Sequence, residues 1–262
     1  MSPRHSPLVV SQVWQVSWAH PKFGHLLASC SFDHKVIVWK EVADGVWQQA
    51  YASPPSLHSA SVNSCAWAPH ELGLVLACGS SDGSLSFITC GADGSWGAQK
   101  VENAHLMGVT AVSWAPPQPP GSLVTPGSGA ALVRRLCSAG CDNLVKLWSC
   151  GDGSRGWAME SELRGHVDWV RDCAWAPNLG MPRDTIASAG QDGRVYIWSH
   201  SDAGGWSSKL LLEGKAVVWR VSWSAFGNVL AVADGNDSVT LWKEAVDGQW
   251  AQVADADAPA TA

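Results

Sequence analysis

The sequence lacks most of what commits a chain to a membrane, a nucleic acid or a catalytic cycle. No stretch approaches the roughly 18 consecutive apolar residues of a membrane-spanning helix, and the apolar run Leu8-Val-Val is too short for a signal peptide. A cytosolic or nuclear protein is expected, with any membrane association made through other proteins. Positive charge is scarce: 17 Lys and Arg against 23 Asp and Glu give a net charge of −6 and a pI near 5.8, which argues against direct binding to nucleic-acid phosphates. Arg134-Arg135 is the one adjacent basic pair and reads as a solvated loop end. There is no nucleophile elbow, no phosphate-cradling Gly loop and no pair of acids outside turns, so an enzyme is the class with least support. Eight Cys are present, but Cys137-Ser-Ala-Gly-Cys141 has no second pair or His couple to complete a metal site. The thiols read as reduced, structural and mostly buried in strands. No metal, cofactor or catalytic residue is expected.

Tyr and Phe are rare too, two and four, whereas there are 17 Trp. Five of these recur in related wording: Ser17-Trp18-Ala-His, Ala66-Trp67-Ala-Pro, Ser113-Trp114-Ala-Pro, Ala174-Trp175-Ala-Pro and Ser222-Trp223-Ser. Their separations of 49, 47, 61 and 48 residues match one four-stranded propeller blade with its loops. The indoles would then fill the space between neighbouring blades.

The fourth unit shows the pattern most fully. An inner strand runs from His166 through Trp175 and stops at Pro177, which lacks a backbone donor. Thr185–Gly193 is a second strand entering a tight turn, Arg194–Trp198 a third with period-two alternation, and Trp206–Leu211 the outermost. Third strands elsewhere are Lys35–Trp39, Ser84–Ile88, Leu144–Trp148 and Ser238–Trp242. Asp44-Gly45, Asp93-Gly94 and Asp247-Gly248 read as the hairpin turns that follow.

These residues resemble the WD-repeat family over about residues 11–255. The resemblance implies an all-β, open propeller of five recognisable four-stranded blades, at about 11–52, 58–101, 105–163, 166–213 and 216–253. Residues 1–10 are expected to be irregular, 256–262 a disordered tail, and the Pro/Gly/Ser-rich stretch at about 116–133 a mobile surface loop. In the family a His, a Ser or Thr, an Asp and a Trp form a buried hydrogen-bonded network in each blade. His58, His105 and His166 each precede the inner-strand Trp by nine residues, and Asp33, Asp82, Asp142 and Asp192 each precede the third-strand end by six. Ser29, Ser138 and Ser188 lie four before their Asp, and Trp39, Trp148 and Trp198 end third strands. Repetition once per blade favours a structural network over a catalytic site. Three units depart from the pattern. The second ends on Ile88, the fifth has Asn236-Asp237 and Gly214 at the Asp and His positions, and the first has Val9 for His. The second and fifth blades are expected to rely more on packing.

Longer stretches narrow the resemblance. Trp14-Gln-Val-Ser-Trp-Ala-His-Pro, Ala77-Cys-Gly-Ser-Ser-Asp-Gly, Ala139-Gly-Cys-Asp-Asn-Leu-Val-Lys-Leu-Trp, Asp168-Trp-Val-Arg-Asp-Cys-Ala-Trp-Ala-Pro and Val239-Thr-Leu-Trp-Lys-Glu are together similar to the Sec-thirteen family. That family's small propellers are shared by the outer COPII vesicle coat and the nuclear pore outer ring. The resemblance implies a six-bladed open propeller whose missing blade is donated in trans by an α-solenoid coat subunit or a scaffold nucleoporin. It also implies a place in a lysosomal nutrient-sensing complex acting on TORC signalling. Implied locations are the COPII coat at the ER membrane, the nuclear pore and the lysosomal membrane. Only five units are legible here, so the chain is expected to lack the first blade and to bind solenoid partners more weakly. Residues expected to line the partner gap are Val217, Trp219, Val221, Trp223, Val239, Leu241 and Trp242. The competing class is a WD-repeat adaptor that presents peptides in a signalling or ubiquitin-ligase complex.

Overall fold

The computed structural model describes residues 11–117, 133–151, 156–178, 183–201 and 205–255. The expected irregular N-terminus with Val9, the acidic tail and most of the Pro-rich loop lie outside the described residues. Among those described, twenty strands form five antiparallel four-stranded sheets, each with its strands in chain order and open, as WD-repeat blades are. Two compact units divide at residues 109 and 110.

The first unit holds two sheets. One comprises β1 (Val13–Trp18), β2 (Leu26–Ser31), β3 (Val36–Ala43) and β4 (Val46–Ala52). The other comprises β5 (Val62–Trp67), β6 (Val75–Ser80), β7 (Leu85–Cys90) and β8 (Trp96–Val101). The second unit holds three. They are β9 (Val109–Trp114) to β12 (Ala158–Arg164) through β10 (Arg134–Gly140) and β11 (Leu144–Cys150); β13 (Val170–Trp175), β14 (Thr185–Gly190), β15 (Arg194–Ser201) and β16 (Gly205–Glu213); and β17 (Val218–Trp223), β18 (Val229–Asp234), β19 (Val239–Glu244) and β20 (Trp250–Asp255).

Apolar residues fill most positions of the second and third strands, and successive side chains point to opposite faces, so each sheet has two apolar faces. Within the first unit, Ala28, Cys30, Val36 and Val38 pack against Val62, Cys65, Leu76 and Cys78. Within the second, Cys137, Ala139, Val145 and Leu147 pack against Val170, Cys173 and Ile186. Ala187, Ala189, Val195 and Ile197 likewise pack against Val218, Val221, Leu230 and Val232. The same register positions meet at each of these junctions. One face of a sheet receives the inner and second strands of the sheet that follows.

The turn between second and third strands places one residue with positive φ at the same position in all five sheets: His34, Gly83, Asn143, Gly193 and Asp237. The preceding Asp closes the turn. The oxygens of Asp33, Asp82, Asp142 and Asp192 accept the backbone N–H of Lys35, Ser84, Leu144 and Arg194. In the fifth sheet Asp234, two residues earlier, accepts from Asn236 and Ser238. Gly45, Gly94 and Gly248 have positive φ in the third-to-fourth-strand turns, as their Asp-Gly wording predicts.

Gly193 is among the tightly constrained turn residues. At φ +72°, a Cβ would stand 2.3 Å from the Gly214 carbonyl oxygen and 2.9 Å from that of Ala216, whereas a Cβ on Gly45 meets open space. Gly193→Ala is expected to cost about 3 kcal/mol or more, from left-handed strain plus forced separation of backbone. Gly45→Ala should cost only about 1 kcal/mol. Urea unfolding midpoints of the two variants measure the difference.

Candidate interaction site

The fourth sheet holds the complete polar network. Trp198 Nε1 donates to Ser188 Oγ at 2.8 Å, Ser188 lies 2.8 Å from His166 Nε2, and His166 Nδ1 lies 3.1 Å from Asp192. A carboxylate only accepts, so Nδ1 carries the imidazole proton and Nε2 accepts the Ser188 hydroxyl. Burial pushes the Asp192 carboxyl up, but His166, the Val167 N–H and the Arg194 N–H outweigh it and hold the group below the usual carboxylate range.

The other sheets carry parts of this arrangement. Trp39 donates to Ser29 at 3.0 Å and Trp148 to Ser138 at 2.8 Å. Asp33 serves its own turn and pairs with Lys35, and Asp142 pairs with Lys146. His105 is buried, and its backbone N–H donates to the Gly83 carbonyl. The second sheet was expected to rely on packing, yet it holds a polar network built differently. With Ile88 in place of Trp, His58 Nε2 lies 2.8 Å from Ser86 Oγ, while Nδ1 lies 3.1 Å from Ser84 Oγ and 3.4 Å from Asp82. Burial raises the Asp82 carboxyl, but the Ser84 hydroxyl, the Ser59 and Ser84 N–H groups and His58 hold it well below its usual range. In the fifth sheet, Trp242 turns its N–H to Thr240 Oγ1 at 2.9 Å.

These groups are buried and spent on one another, so they present nothing to a ligand. Two short runs have the bare spacing of enzyme motifs, Gly79-Ser-Ser-Asp-Gly83 and Gly151-Asp-Gly-Ser-Arg-Gly156. The first links β6 to β7, where the chemistry requires a strand-to-helix turn, and most of the second lies outside the described residues. No helix among the described residues is long and apolar enough to cross a membrane.

One face of the fifth sheet is less covered than its counterpart on the fourth. In the fourth sheet Ala187, Ala189, Val195 and Ile197 are 0–2% exposed, covered by the fifth. The residues in register with them on the fifth sheet, Ala231, Ala233, Val239 and Leu241, are only half-buried. The structure divides the seven residues named for the partner gap. Val221 is buried and Trp223 half-buried on the face against the fourth sheet, with Trp223 Nε1 donating to the Ala174 carbonyl at 3.0 Å. Trp242 packs on that same cluster. Val239 and Leu241 lie on the opposite face by alternation. Trp219 is exposed at the start of β17, and Val217 accepts the Gly235 N–H.

Sequence reasoning missed the side chains that bridge neighbouring inner strands. Gln15 Oε1 accepts the Cys65 N–H at 3.0 Å, and at the same register position Asp172 Oδ2 accepts the Val221 N–H at 3.0 Å. The signal was a polar residue three before the repeat Trp. Burial pushes the Asp172 carboxyl up to about 6, against the pull of Val221 N–H and of Arg220. Arg135, expected at a solvated loop end, instead lies in β10. It pairs with Asp184 at 2.8 Å and Glu160 at 3.2 Å, 5.0 Å from the Trp175 ring, because the strand's alternation aims it at the fourth sheet.

The family model described as WD domain, G-beta repeat matches residues 5–40, 55–88 and 157–199. The chain is 52% identical to the Protein SEC13 homolog of Drosophila melanogaster, over 92% of this chain and 68% of the relative. It is 45% identical to Protein transport protein SEC13 of Mycosarcoma maydis, over 94% and 80%. With Protein transport protein sec13 of Aspergillus fumigatus it shares 47% identity over 93% and 81%.

Two predictions follow from the buried polar groups. Ser188→Ala strands the Trp198 N–H and the His166 ring nitrogen in the core and is expected to cost about 2–4 kcal/mol by chemical denaturation. Asp172 binds its proton more tightly folded than unfolded, so its contribution is fully present below the ordinary Asp pKa and is lost as pH rises through about 6. Asp172→Asn keeps an acceptor for Val221. It should match wild type at about pH 3, below the ordinary Asp pKa, and be roughly 2–3 kcal/mol more stable at pH 7.5, as paired unfolding curves would read.

Proposed function

The chain belongs to the SEC13 family of WD-repeat proteins, and from that premise we propose that it works in protein transport as a non-enzymatic scaffold of the COPII vesicle coat. In this reading the fifth sheet accepts a β-blade in trans from an α-solenoid coat subunit, and the protein reaches the ER membrane only through the coat. The same face would serve a scaffold nucleoporin in the nuclear pore outer ring. A place in the lysosomal nutrient-sensing complex that acts on TORC signalling belongs to the same proposal.

The names of the relatives support protein transport. The observation that supports blade acceptance is the half-buried row Ala231, Ala233, Val239 and Leu241, in register with a row of the fourth sheet that the fifth sheet buries fully. An apolar row of that shape is completed by another sheet, with the desolvated side chains supplying most of the affinity. Neither a reactive side chain nor a phosphate cradle accompanies it.

Leu241→Glu places a charge in that row without touching the packed face. Co-expression with the blade-donating segment of the coat solenoid is expected to show at least about tenfold less complex than wild type, with little change in thermal unfolding. Undiminished complex formation by a folded Leu241→Glu variant would refute blade acceptance at this face.

A further inference from the structure

In each inner strand with a recorded first-to-second-strand register, pairing skips one residue, four before the repeat Trp: Trp14, Asn63, Arg171 and Trp219. A bulge there re-aims one side chain out of the ladder. Three residues at this position have side-chain partners further along the chain. Trp14 Nε1 donates to Ser61 Oγ and Thr110 Oγ1 to the Val170 carbonyl, each on the following sheet, at 2.7 and 2.6 Å, and Asn63 Nδ2 donates to the Val109 carbonyl at 2.7 Å. Arg171 differs. Its guanidinium carbon lies 5.0 Å from the Trp169 ring and 4.9 Å from the Trp219 ring. Its Nε and Nη2 both donate to Gln191 Oε1.

Packing does not explain Trp169. The residues in register with it are Gln12, Ser61, Gly108 and Val217, so no other sheet needs an indole there. Trp169 and Trp219 remain 40% and 47% exposed, beside Val167 at 67%. Among the described residues neither indole N–H has an acceptor, and Arg171 makes no ion pair. The patch is therefore a cation held between two aromatic plates, with both indole N–H groups and Arg171 Nη1 left as donors. Asp168 Oδ1 accepts the Trp169 backbone N–H at 2.7 Å.

We infer that Trp169, Arg171 and Trp219 form a docking site for an acidic peptide segment, distinct from the fifth-sheet face and independent of the blade-acceptance reading. A partner carboxylate would accept from Arg171 Nη1 and from an indole N–H, and an adjacent apolar or aromatic residue would lie on the rings. Charge selects a peptide over other acceptor-rich partners. The chain carries a net −6, and one cation in a mainly aromatic patch is too little to hold a phosphate backbone or an anionic bilayer.

Fluorescence anisotropy on the full chain tests this with a labelled Ser-Glu-Phe-Glu-Ser peptide, its Gln counterpart Ser-Gln-Phe-Gln-Ser, and phosphatidylserine vesicles. The Glu peptide should bind at least about tenfold more tightly than the Gln peptide, and weaken with added salt. Arg171→Gln and Trp169→Ala should each remove that preference, while Arg164→Gln, at an exposed cation paired with Glu162, should not. Trp169 is half in solvent, so its variant stays folded and informative even if Arg171→Gln does not. The inference is overturned by equal affinity for the two peptides, by no peptide binding up to millimolar concentration, by vesicle binding in place of peptide binding, or by full affinity in Trp169→Ala.

Discussion

A four-stranded sheet built from these strands cannot hide both of its faces from water, and the rest of the structure depends on that constraint. Each sheet is apolar on both sides because its second and third strands are nearly continuous runs of Val, Ile, Leu, Ala and Cys. Burial therefore comes from the neighbour, through one repeated junction in which Ala28, Cys30, Val36 and Val38, or Ala187, Ala189, Val195 and Ile197, receive the inner strand of the following sheet. Stability in such an array is a sum of nearest-neighbour terms. A face that meets no neighbour is a site of unmet burial, and this is the property that a transport-coat scaffold can use.

The polar residues inside the sheets make that stacking specific. The recurring Asp first closes its own turn and then, where a His is available, orients the imidazole; Ser188 joins that imidazole to the Trp198 indole. Gln15 and Asp172 reach across to the next inner strand, where one misplaced residue would leave the Cys65 or Val221 N–H without an acceptor. Asp172 does this as a buried acid and Gln15 as an amide, so the same bond costs more in the second unit at neutral pH.

Much of this was legible in the sequence, for reasons that differ by residue. The Trp spacing and the Asp-Gly turns are local chemistry, and the five sheets and the left-handed Gly45, Gly94, Gly193 and Gly248 follow from them, whereas His34, Asn143 and Asp237 take the same conformation without that wording. The network in the second sheet was not legible, because Ser84 and Ser86 substitute for the absent Trp from positions that the repeat wording leaves unconstrained. The division of the seven gap residues between the two faces of the fifth sheet required register. Val221 and Val239 look alike as apolar strand residues, and only pairing shows that the first meets the fourth sheet while the second faces away. Arg135 and Asp172 were obscured because their partners, Asp184 and Val221, lie about 50 residues further along the chain.

The central claim is that the half-buried row on the fifth sheet is where a larger subunit completes the stack. Hydroxyl-radical footprinting of the chain, alone and with the blade-donating segment of a COPII solenoid subunit, addresses it residue by residue. The account predicts that Val239 and Leu241 lose labelling in the complex while Val221 and Trp223, already covered by the fourth sheet, label equally in both states. A stable complex in which Val239 and Leu241 label as in the free chain would contradict it.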